Sequence, residues 1–271
     1  MRTWPAIEVG AGLSGVDGDL VQAALVDYDV AAIDEDAGRV FFHTADARDT
    51  AAAALQEQFP TLPLRTTDVP DEDWAARSQA NLRAVRVGAI VVAPPWDVPA
   101  APDTSGVVIV IQPSMGFGTG HHATTRLCLS HLQHLYLRGR TALDVGTGSG
   151  VLAIAASRLG ATQVLAIDDD PDAIASAREN LELNPGTNVT LGTLDLRRAG
   201  LRPFDVVIAN LTGGLLMAAA ATLMELASAG GRLVLSGFMQ AEEDAVRAAF
   251  GSCSLDERSQ EDEWTCFTLT R

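Results

Sequence analysis

Residues 141–150 read TALDVGTGSG, an apolar segment that ends in three glycines spaced two residues apart. The segment over 150–159 that follows is apolar and alanine-rich, and it predicts a helix. A buried strand, a glycine turn and a helix in this order are typical of a doubly wound α/β sheet. In such sheets the ligand lies beyond the carboxyl ends of the strands. The stretch therefore predicts a ligand loop at that edge.

Strands and helices alternate from this stretch to the end of the chain. The predicted strands lie at 141–145, 163–168, 188–191, 204–209 and 232–236, and the predicted helices at 150–159, 171–183, 215–227 and 241–250. Apolar strands separated by helices imply a parallel sheet covered on both faces. Residues 264–270 alternate in polarity and are predicted to add an edge strand. The fold class is α/β, with a doubly wound, Rossmann-like sheet.

The glycine loop fits one ligand class better than another. A dinucleotide loop has the pattern G-x-G-x-x-G, which sets pyrophosphate at a helix N-terminus. Here the third glycine comes one position early, at Gly150, and Asp144 lies just before the loop. A carboxylate at that point repels pyrophosphate but attracts a cation. S-adenosylmethionine carries a sulfonium and an ammonium group, so it is the predicted cofactor, contacted by Asp144, Gly146 and Gly148.

Two further strand ends carry candidate site residues. Asp168 ends the second strand, about 20 residues past the loop, where an acidic residue accepts the ribose hydroxyls. Asp170 precedes Pro171 and is predicted to cap the next helix. Asn210 ends the fourth strand and is expected near the transferred methyl group. Residues 211–213 lack the Pro-Pro-aromatic element with which base methyltransferases hold a flipped-out base.

Composition and charge limit the partners. The chain has 271 residues, a formal net charge of −16, and no lysine at all. Such a charge disfavours nucleic-acid binding and suits a basic protein partner. An acidic, lysine-poor proteome explains the same charge, and that alternative stays open. We find no signal peptide, membrane-spanning segment or cysteine pattern for a metal site, so we expect a cytoplasmic, metal-free protein.

The sequence upstream of the glycine loop divides into two regions. Residues 1–65 predict a small α+β domain, with a helix at 18–28, a strand at 39–43 and a helix at 47–59. This order suggests a ferredoxin-like arrangement, and Asp and Glu greatly outnumber Arg there. The surplus is either a solvated acidic face or a docking surface. Residues 66–120 are predicted as a linker helix at 71–85 and strands at 87–93 and 107–111. Residues 121–271 are predicted to form the S-adenosylmethionine-binding catalytic domain.

One segment is more specific than the glycine loop. Residues 112–129, QPSMGFGTGHHATTRLCL, resemble the segment that precedes the cofactor domain in the ribosomal protein L11 methyltransferases. The resemblance continues through 143–150, 166–180, 206–211 and 230–237, and it ends at 263–266. It covers about residues 85–271.

The resemblance implies a three-part enzyme with an N-terminal substrate-recognition domain and a seven-stranded methyltransferase sheet. It implies cofactor contacts at Thr125, Gly146, Asp168 and Asn210. Phe117 and Thr119 are expected to face the substrate, because their segment points to a protein amine as acceptor. The chain departs from the family at 121–123 and 211–213, close to the expected substrate face.

The expected activity is methylation of amino groups, on lysine side chains or the N-terminus, of a basic ribosomal protein resembling L11. A lysine methyltransferase for another protein, a small-molecule amine methyltransferase and a non-catalytic donor-binding module stay open as alternatives. We expect a monomer. Asn210 is predicted to position the acceptor amine. His121 and His122 either contact substrate as proton acceptors or pack at a helix start.

Overall fold

The computed structural model describes residues 3–10, 21, 24–25, 28–34, 38–70, 82–99, 106–113, 121–196 and 201–271. The chain divides into two compact units, Met1–Asn81 and Leu82–Arg271. Phe117 and Thr119 lie outside the described residues, as do most of the helix predicted at 18–28 and residues 71–81 of the predicted linker helix.

The N-terminal unit contains a four-stranded antiparallel sheet in the order β2-β3-β1-β4. Its strands are β1 (Thr3–Val9), β2 (Val30–Asp34), β3 (Arg39–Phe42) and β4 (Leu64–Pro70), with helix α1 (Ala45–Gln58) before β4. This is the strand order of a ferredoxin-like sheet. Because β4 pairs with β1 over its whole length, the unit extends beyond residue 65, where the sequence analysis drew its boundary. Ile7, Phe42 and Leu55 are buried in the core of this unit.

A small three-stranded sheet begins the second unit. Its strands are β5 (Val85–Val87), β6 (Ile90–Ala93) and β7 (Val107–Val110). The prediction of one strand over 87–93 is wrong. Gly88 adopts φ 57°, in the left-handed region, so the chain turns there and β5 pairs antiparallel with β6. Val85 belongs to β5 and not to the predicted linker helix.

The main sheet of the described residues has seven strands in the order β10-β9-β8-β11-β12-β14-β13. They are β8 (Thr141–Val145), β9 (Gln163–Asp168), β10 (Val189–Thr193), β11 (Phe204–Asn210), β12 (Ala227–Met239), β13 (Ser254–Glu261) and β14 (Trp264–Thr270). The first five run parallel, and β14 and β13 are added antiparallel. The predicted Rossmann-like, doubly wound sheet is confirmed.

The predicted edge strand has a different place in this sheet. β14 lies between β12 and β13, and β13 forms the edge. The side chains of β14 are almost all buried, whereas β13 is exposed or half-buried along its length. The β14 side chains alternate between the two cores of the sheet, Cys266 on one face and Phe267 and Leu269 on the other, which explains the apolar residues of β14.

Helices cover both faces of the main sheet. They are α2 (Ala123–His134), α3 (Val151–Arg158), α4 (Pro171–Leu183), α5 (Gly213–Leu226) and α6 (Glu243–Ala249). The buried residues of α2 and α3 pack on one face, and those of α5 and Val246 of α6 pack on the other. Strand order reverses between β8 and β11, and this switch point opens a crevice at the carboxyl ends of the strands.

Candidate functional site

The glycine loop joins β8 to α3 at the switch point. The backbone N–H groups of Gly146 and Thr147 both donate to the carbonyl of Ile167 on β9, at 2.9 and 3.0 Å. Gly146 and Gly150 have φ of 67° and 81°, which only glycine adopts without strain. The loop therefore turns tightly and is attached to the neighbouring strand.

Asp144 lies beneath this loop. Its carboxylate accepts hydrogen bonds from Thr147 Oγ1 at 2.6 Å and from the backbone N–H of Ala153 at 3.1 Å. The residue is 1% exposed, and burial raises the pKa of its carboxyl to about 6. The two hydrogen bonds oppose this shift, and the charge of Asp168 adds to it. The structure thus gives Asp144 a supporting place beneath the loop, and its contact with the cofactor stays a prediction.

Asp168 links the end of β9 to the loop. One carboxylate oxygen accepts from the backbone N–H of Gly148 at 3.0 Å, and the other accepts from that of Asp170 at 3.1 Å. Asp170 is the N-cap of α4, because its side chain accepts from the backbone N–H of Asp172 at 2.9 Å. The predicted capping role of Asp170 is confirmed.

A cavity of about 210 Å³ opens beside the loop. Its wall is formed by residues at the carboxyl ends of four parallel strands and by the first turns of α5, and these side chains are mostly apolar. The lining residues are Val145, Gly146, Ile167, Asp168, Asp169, Leu194, Asp195, Leu196, Leu211, Leu215, Ala218 and Ala219. An apolar cavity with a few convergent polar groups is typical of a small-molecule site.

Leu211 is fixed tightly in that wall. Its backbone N–H donates to the carbonyl of Ser236 at 2.9 Å. A methyl group added to Gly237, which has φ 92°, would overlap the Leu211 backbone. A methyl group added to Gly146 would overlap the Leu211 side chain. Leu211 therefore depends on the absence of a side chain at both glycines.

Asn180 of α4 connects the loop with the segment that precedes residues 114–120. Its Oδ1 accepts from the backbone N–H of Gln112 at 2.7 Å, and its Nδ2 donates to the carbonyl of Ser149 at 2.9 Å. Asn180 is fully buried, so both bonds are shielded from water. Asn184, one turn later, holds the backbone N–H and carbonyl of Val110.

The N-terminus of α2 brings a second group of polar side chains to this edge. His122 is the N-cap, and its ring contacts Trp264 edge-on at a centroid distance of 4.8 Å. Its Nδ1 lies 2.8 Å from Thr124 Oγ1, and Asn210 Nδ2 donates to the same Oγ1 at 3.2 Å. Burial, followed by the charge of Arg126, lowers the pKa of His122, and the charge of Glu263 raises it.

The neighbouring Thr125 differs from Thr124. It is 1% exposed, and its hydroxyl oxygen has no hydrogen-bond partner among the described residues. A buried polar group without a partner is unfavourable by about 1–3 kcal/mol, so a ligand that supplies the partner is favoured. This orphaned hydroxyl was singled out in the sequence by the family resemblance alone.

The other histidines in and just before α2 have different surroundings. The carbonyl of His121 accepts a hydrogen bond from Arg126, whose guanidinium also pairs with Glu261. His131 is buried against Thr268 and Glu257, and His134 contacts Glu257 from the surface. Within the described ranges, no group of three His, Cys, Asp or Glu side chains is arranged to hold a metal ion.

The described residues fit the predicted methyl donor. The cavity offers apolar walls for an adenine ring, the Asp168 carboxylate for hydroxyl groups, and a glycine turn that backbone atoms of a ligand can approach closely. The orphaned Thr125 hydroxyl adds a polar group that lacks a partner among the residues the structure describes. Sequence analysis missed Thr124, Asn180 and Leu211, since their importance rests on contacts between residues far apart in the chain.

Comparisons with known proteins identify the family of this chain. A family model described as ribosomal protein L11 methyltransferase (PrmA) matches residues 18–271. A ribosomal protein L11 methyltransferase of Geobacter sulfurreducens is 45% identical over 210 residues, covering 76% of this chain and 68% of that protein. One from Pelobacter propionicus is 41% identical over 230 residues, covering 80% and 74%.

A solved structure that resembles this chain carries a name of the same family. The ribosomal protein L11 methylase of Lactobacillus delbrueckii subsp. bulgaricus superposes with a TM-score of 0.66 at 26% identity, covering 70% of this chain and 99% of that one. The family match spans nearly the whole chain, and the curated relatives cover more than two thirds of it. The chain therefore belongs to the ribosomal protein L11 methyltransferase family and is an S-adenosylmethionine-dependent methyltransferase.

Proposed function

We propose that this protein methylates amino groups of ribosomal protein L11. The observation that carries the proposal is that Leu211 lines the cavity and Asn210, the residue before it, ends β11 with an amide bonded to Thr124. A neutral amide at that point suits an uncharged amine as acceptor. The relatives are named as ribosomal protein L11 methyltransferases, and this supports L11 as the protein that carries the amine.

The donor-binding roles are part of the same proposal. Gly146 and Gly148 offer backbone to the donor, Asp168 accepts its ribose hydroxyls, and Thr125 supplies a hydroxyl. Their support is the cavity at the switch point and the orphaned Thr125 oxygen. Phe117 and Thr119 are proposed to contact the acceptor segment, on the strength of their place in the sequence motif.

The chain's own residues have a limited chemical task. When bound, S-adenosylmethionine supplies a methyl group whose bond to sulfur breaks as the amine nitrogen bonds to it. The amine must first be neutral, and free lysine has a pKa of about 10.4. Asn210 is proposed to accept an amine N–H and so direct the nitrogen lone pair, because positioning supplies much of the acceleration in such reactions. No strong base is required of Asn210.

The partner is proposed to be a basic ribosomal protein, with no direct binding of nucleic acid. The net charge of −16 favours encounter with a basic protein and disfavours nucleic acid. The N-terminal unit is proposed as the substrate-recognition domain, the enzyme as a monomer, and the cytoplasm as its location. Within the described residues, no helix is long and apolar enough to cross a membrane.

The test combines the full-length chain, labelled donor and recombinant bacterial ribosomal protein L11, followed by mass spectrometry. Because this chain has no lysine, every methyl-lysine in the mixture comes from the acceptor. We expect methyl groups on amino groups of L11, and Asn210→Ala should lower the single-turnover rate at saturating donor by about tenfold or more. Label confined to RNA, to small amines or to other proteins would contradict the proposal.

A further inference from the structure

His122, Thr124 and Asn210 form a continuous hydrogen-bonded chain from the start of α2 to the end of β11. His122 Nδ1 lies 2.8 Å from Thr124 Oγ1, and this oxygen lies 3.2 Å from Asn210 Nδ2. Thr124 is 1% exposed, so water does not compete for its hydroxyl. A Thr hydroxyl has one proton to donate, which means that each neighbour limits what the next can do.

The direction of these hydrogen bonds is set by the backbone N–H of Thr124, because a backbone N–H can only donate. The backbone N–H of Thr124 donates to His122 Nδ1 at 3.4 Å, in the N-cap geometry. Nδ1 therefore carries no proton and is an acceptor, and burial of the ring, which lowers the pKa of His122, keeps it neutral. The hydroxyl proton of Thr124 then points to Nδ1, and its oxygen is left to accept from Asn210.

This direction decides which end of the Asn210 amide is bound. Only Nδ2 carries hydrogens, so Nδ2 must face Thr124 and Oδ1 must point the other way. Within the described residues, Oδ1 has no hydrogen-bond partner, and Asn210 is half-buried at the carboxyl end of β11, beside the cavity wall at Leu211. Had Nδ1 been protonated, the amide would be free to turn and present a donor.

We propose that Thr124 is a positioning residue, which holds the Asn210 amide so that Oδ1 faces the acceptor amine. The inference rests on the proposed function, since an amine N–H is the group that Oδ1 receives. His122 orients Thr124 from the N-cap position and is itself held by the edge contact with Trp264. Thr124 and Thr125, adjacent in sequence, thus have separate tasks: Thr124 orients the amide, and the Thr125 hydroxyl has no hydrogen-bond partner in the described ranges.

The test replaces the hydroxyl by a methyl group of nearly the same size. In full-length Thr124→Val, we expect single-turnover methylation of L11 at saturating donor to fall about tenfold, because the amide is free to turn. The Kd for the donor, measured by calorimetry, should stay within about twofold. Thr124→Ser keeps the hydroxyl and should restore the rate to within about threefold. Thr265→Val, which removes a buried hydroxyl without a hydrogen-bond partner among the described residues, is the matched control.

A double-mutant cycle separates positioning from a general structural effect. In an Asn210→Ala background there is no amide to orient, so adding Thr124→Val should change the rate less than twofold. A further tenfold loss in that background, or a loss of donor affinity in Thr124→Val alone, would show a structural role and overturn the proposal.

The same assay also distinguishes failure of the Thr124 role from failure of the proposed function. Should wild type methylate L11 and Thr124→Val match its rate, the positioning role fails alone. A wild-type chain that transfers nothing to L11 overturns the proposed function, and the role of Thr124 with it. Should Thr124→Val not fold, the pair His122→Asn and His122→Ala answers the question. Asparagine keeps an N-cap acceptor and should keep the rate, whereas alanine should lower it, and equal rates would refute the idea.

Discussion

The carboxylate of Asp144 accepts a hydrogen bond from the backbone N–H of Ala153, the third residue of α3. The N-cap of that helix is Gly150, which has no side chain to supply this acceptor. Asp144 on β8 therefore does from a neighbouring strand what an Asp or Ser N-cap does from within the helix. The donor loop and the start of α3 depend on this residue.

Removing the carboxylate should weaken the fold. We expect Asp144→Ala to lower the free energy of unfolding of the full chain by about 2 kcal/mol, because the N–H of Ala153 and the hydroxyl of Thr147 both lose their acceptor. Asp144→Asn retains one acceptor and should lose less. Urea unfolding measures both variants, and equal stability of the two would count against the capping role.

The pKa of Asp144 gives a signed pH dependence. Its value in the folded protein is about 6, above the ordinary 3.8. The folded state therefore holds the proton more tightly, and this group's contribution to stability falls as pH rises from 3.8 to 6. Above about pH 6 the carboxylate is ionised and attracts a cationic donor.

Donor affinity should consequently rise with pH. We expect the Kd of S-adenosylmethionine to tighten by about fivefold between pH 5 and pH 7.5, because the negative charge of Asp144 develops over that range. Calorimetry at the two pH values measures the change. Asp144→Asn should remove most of the dependence, and a variant as pH-dependent as wild type would assign the effect to another group.

Thr125 offers a test in which stability and binding move in opposite directions. Thr125→Val removes a buried hydroxyl without a hydrogen-bond partner among the described residues, so we expect the stability of the donor-free chain to rise by up to about 1 kcal/mol. Donor affinity should fall about tenfold, because the ligand loses a polar contact. Thr265→Val shares the first effect and should lack the second. A donor affinity unchanged in Thr125→Val would exclude the contact.

Asn180 and Asn184 form a matched pair on one helix. Both are buried and bind backbone of the segment over 110–112, but only Asn180 also binds the donor loop, through Ser149. Alanine at either position should lower stability by about 2 kcal/mol. Only Asn180→Ala should also weaken donor binding, which calorimetry measures. Equal donor affinities in the two variants would mean that the Ser149 bond does not shape the site.

Gly237 and Gly230 form a second pair, which separates backbone strain from a steric clash. Both have positive φ, but an added methyl group at Gly230 has no described atom within 4 Å, whereas at Gly237 it overlaps Leu211. Gly230→Ala should lower stability by about 1 kcal/mol from backbone strain alone. Gly237→Ala should lower it by about 3 kcal/mol and slow methyl transfer. Thermal unfolding and single-turnover rates check both, and similar losses would argue against the clash.

Local sequence patterns were sufficient to predict the parallel strands of the main sheet. The strands at 141–145 and 163–168 and the helix at 171–183 were predicted with the bounds that the structure has. Long apolar runs between glycine and proline signals leave few alternatives. β13 was missed because its sequence, SLDERSQE, is polar, and only pairing with β14 makes it a strand.

In the candidate site, too, some residues were predictable from local sequence and others depend on contacts made by the fold. The glycine loop, Asp168 and Asn210 follow strand ends and were predicted from that position. Asp144 could face a ligand or the N-terminus of α3. The choice depends on the position of α3 relative to β8 in the folded protein, which the sequence pattern does not predict. The relation between Thr124 and Asn210 joins residues 86 positions apart. Such a contact is created by the fold, so no local pattern predicts it.

The position of Leu211 has a consequence for how this enzyme can diverge. Its backbone occupies the space that a side chain at Gly237 would need, and its side chain occupies the space above Gly146. Gly146, Leu211 and Gly237 are far apart in the sequence but share one volume, so a substitution at one restricts the choice at the others. This epistasis restricts sequence drift at the cavity wall, whereas residues 212 and 214 are exposed and are not among the atoms in contact there.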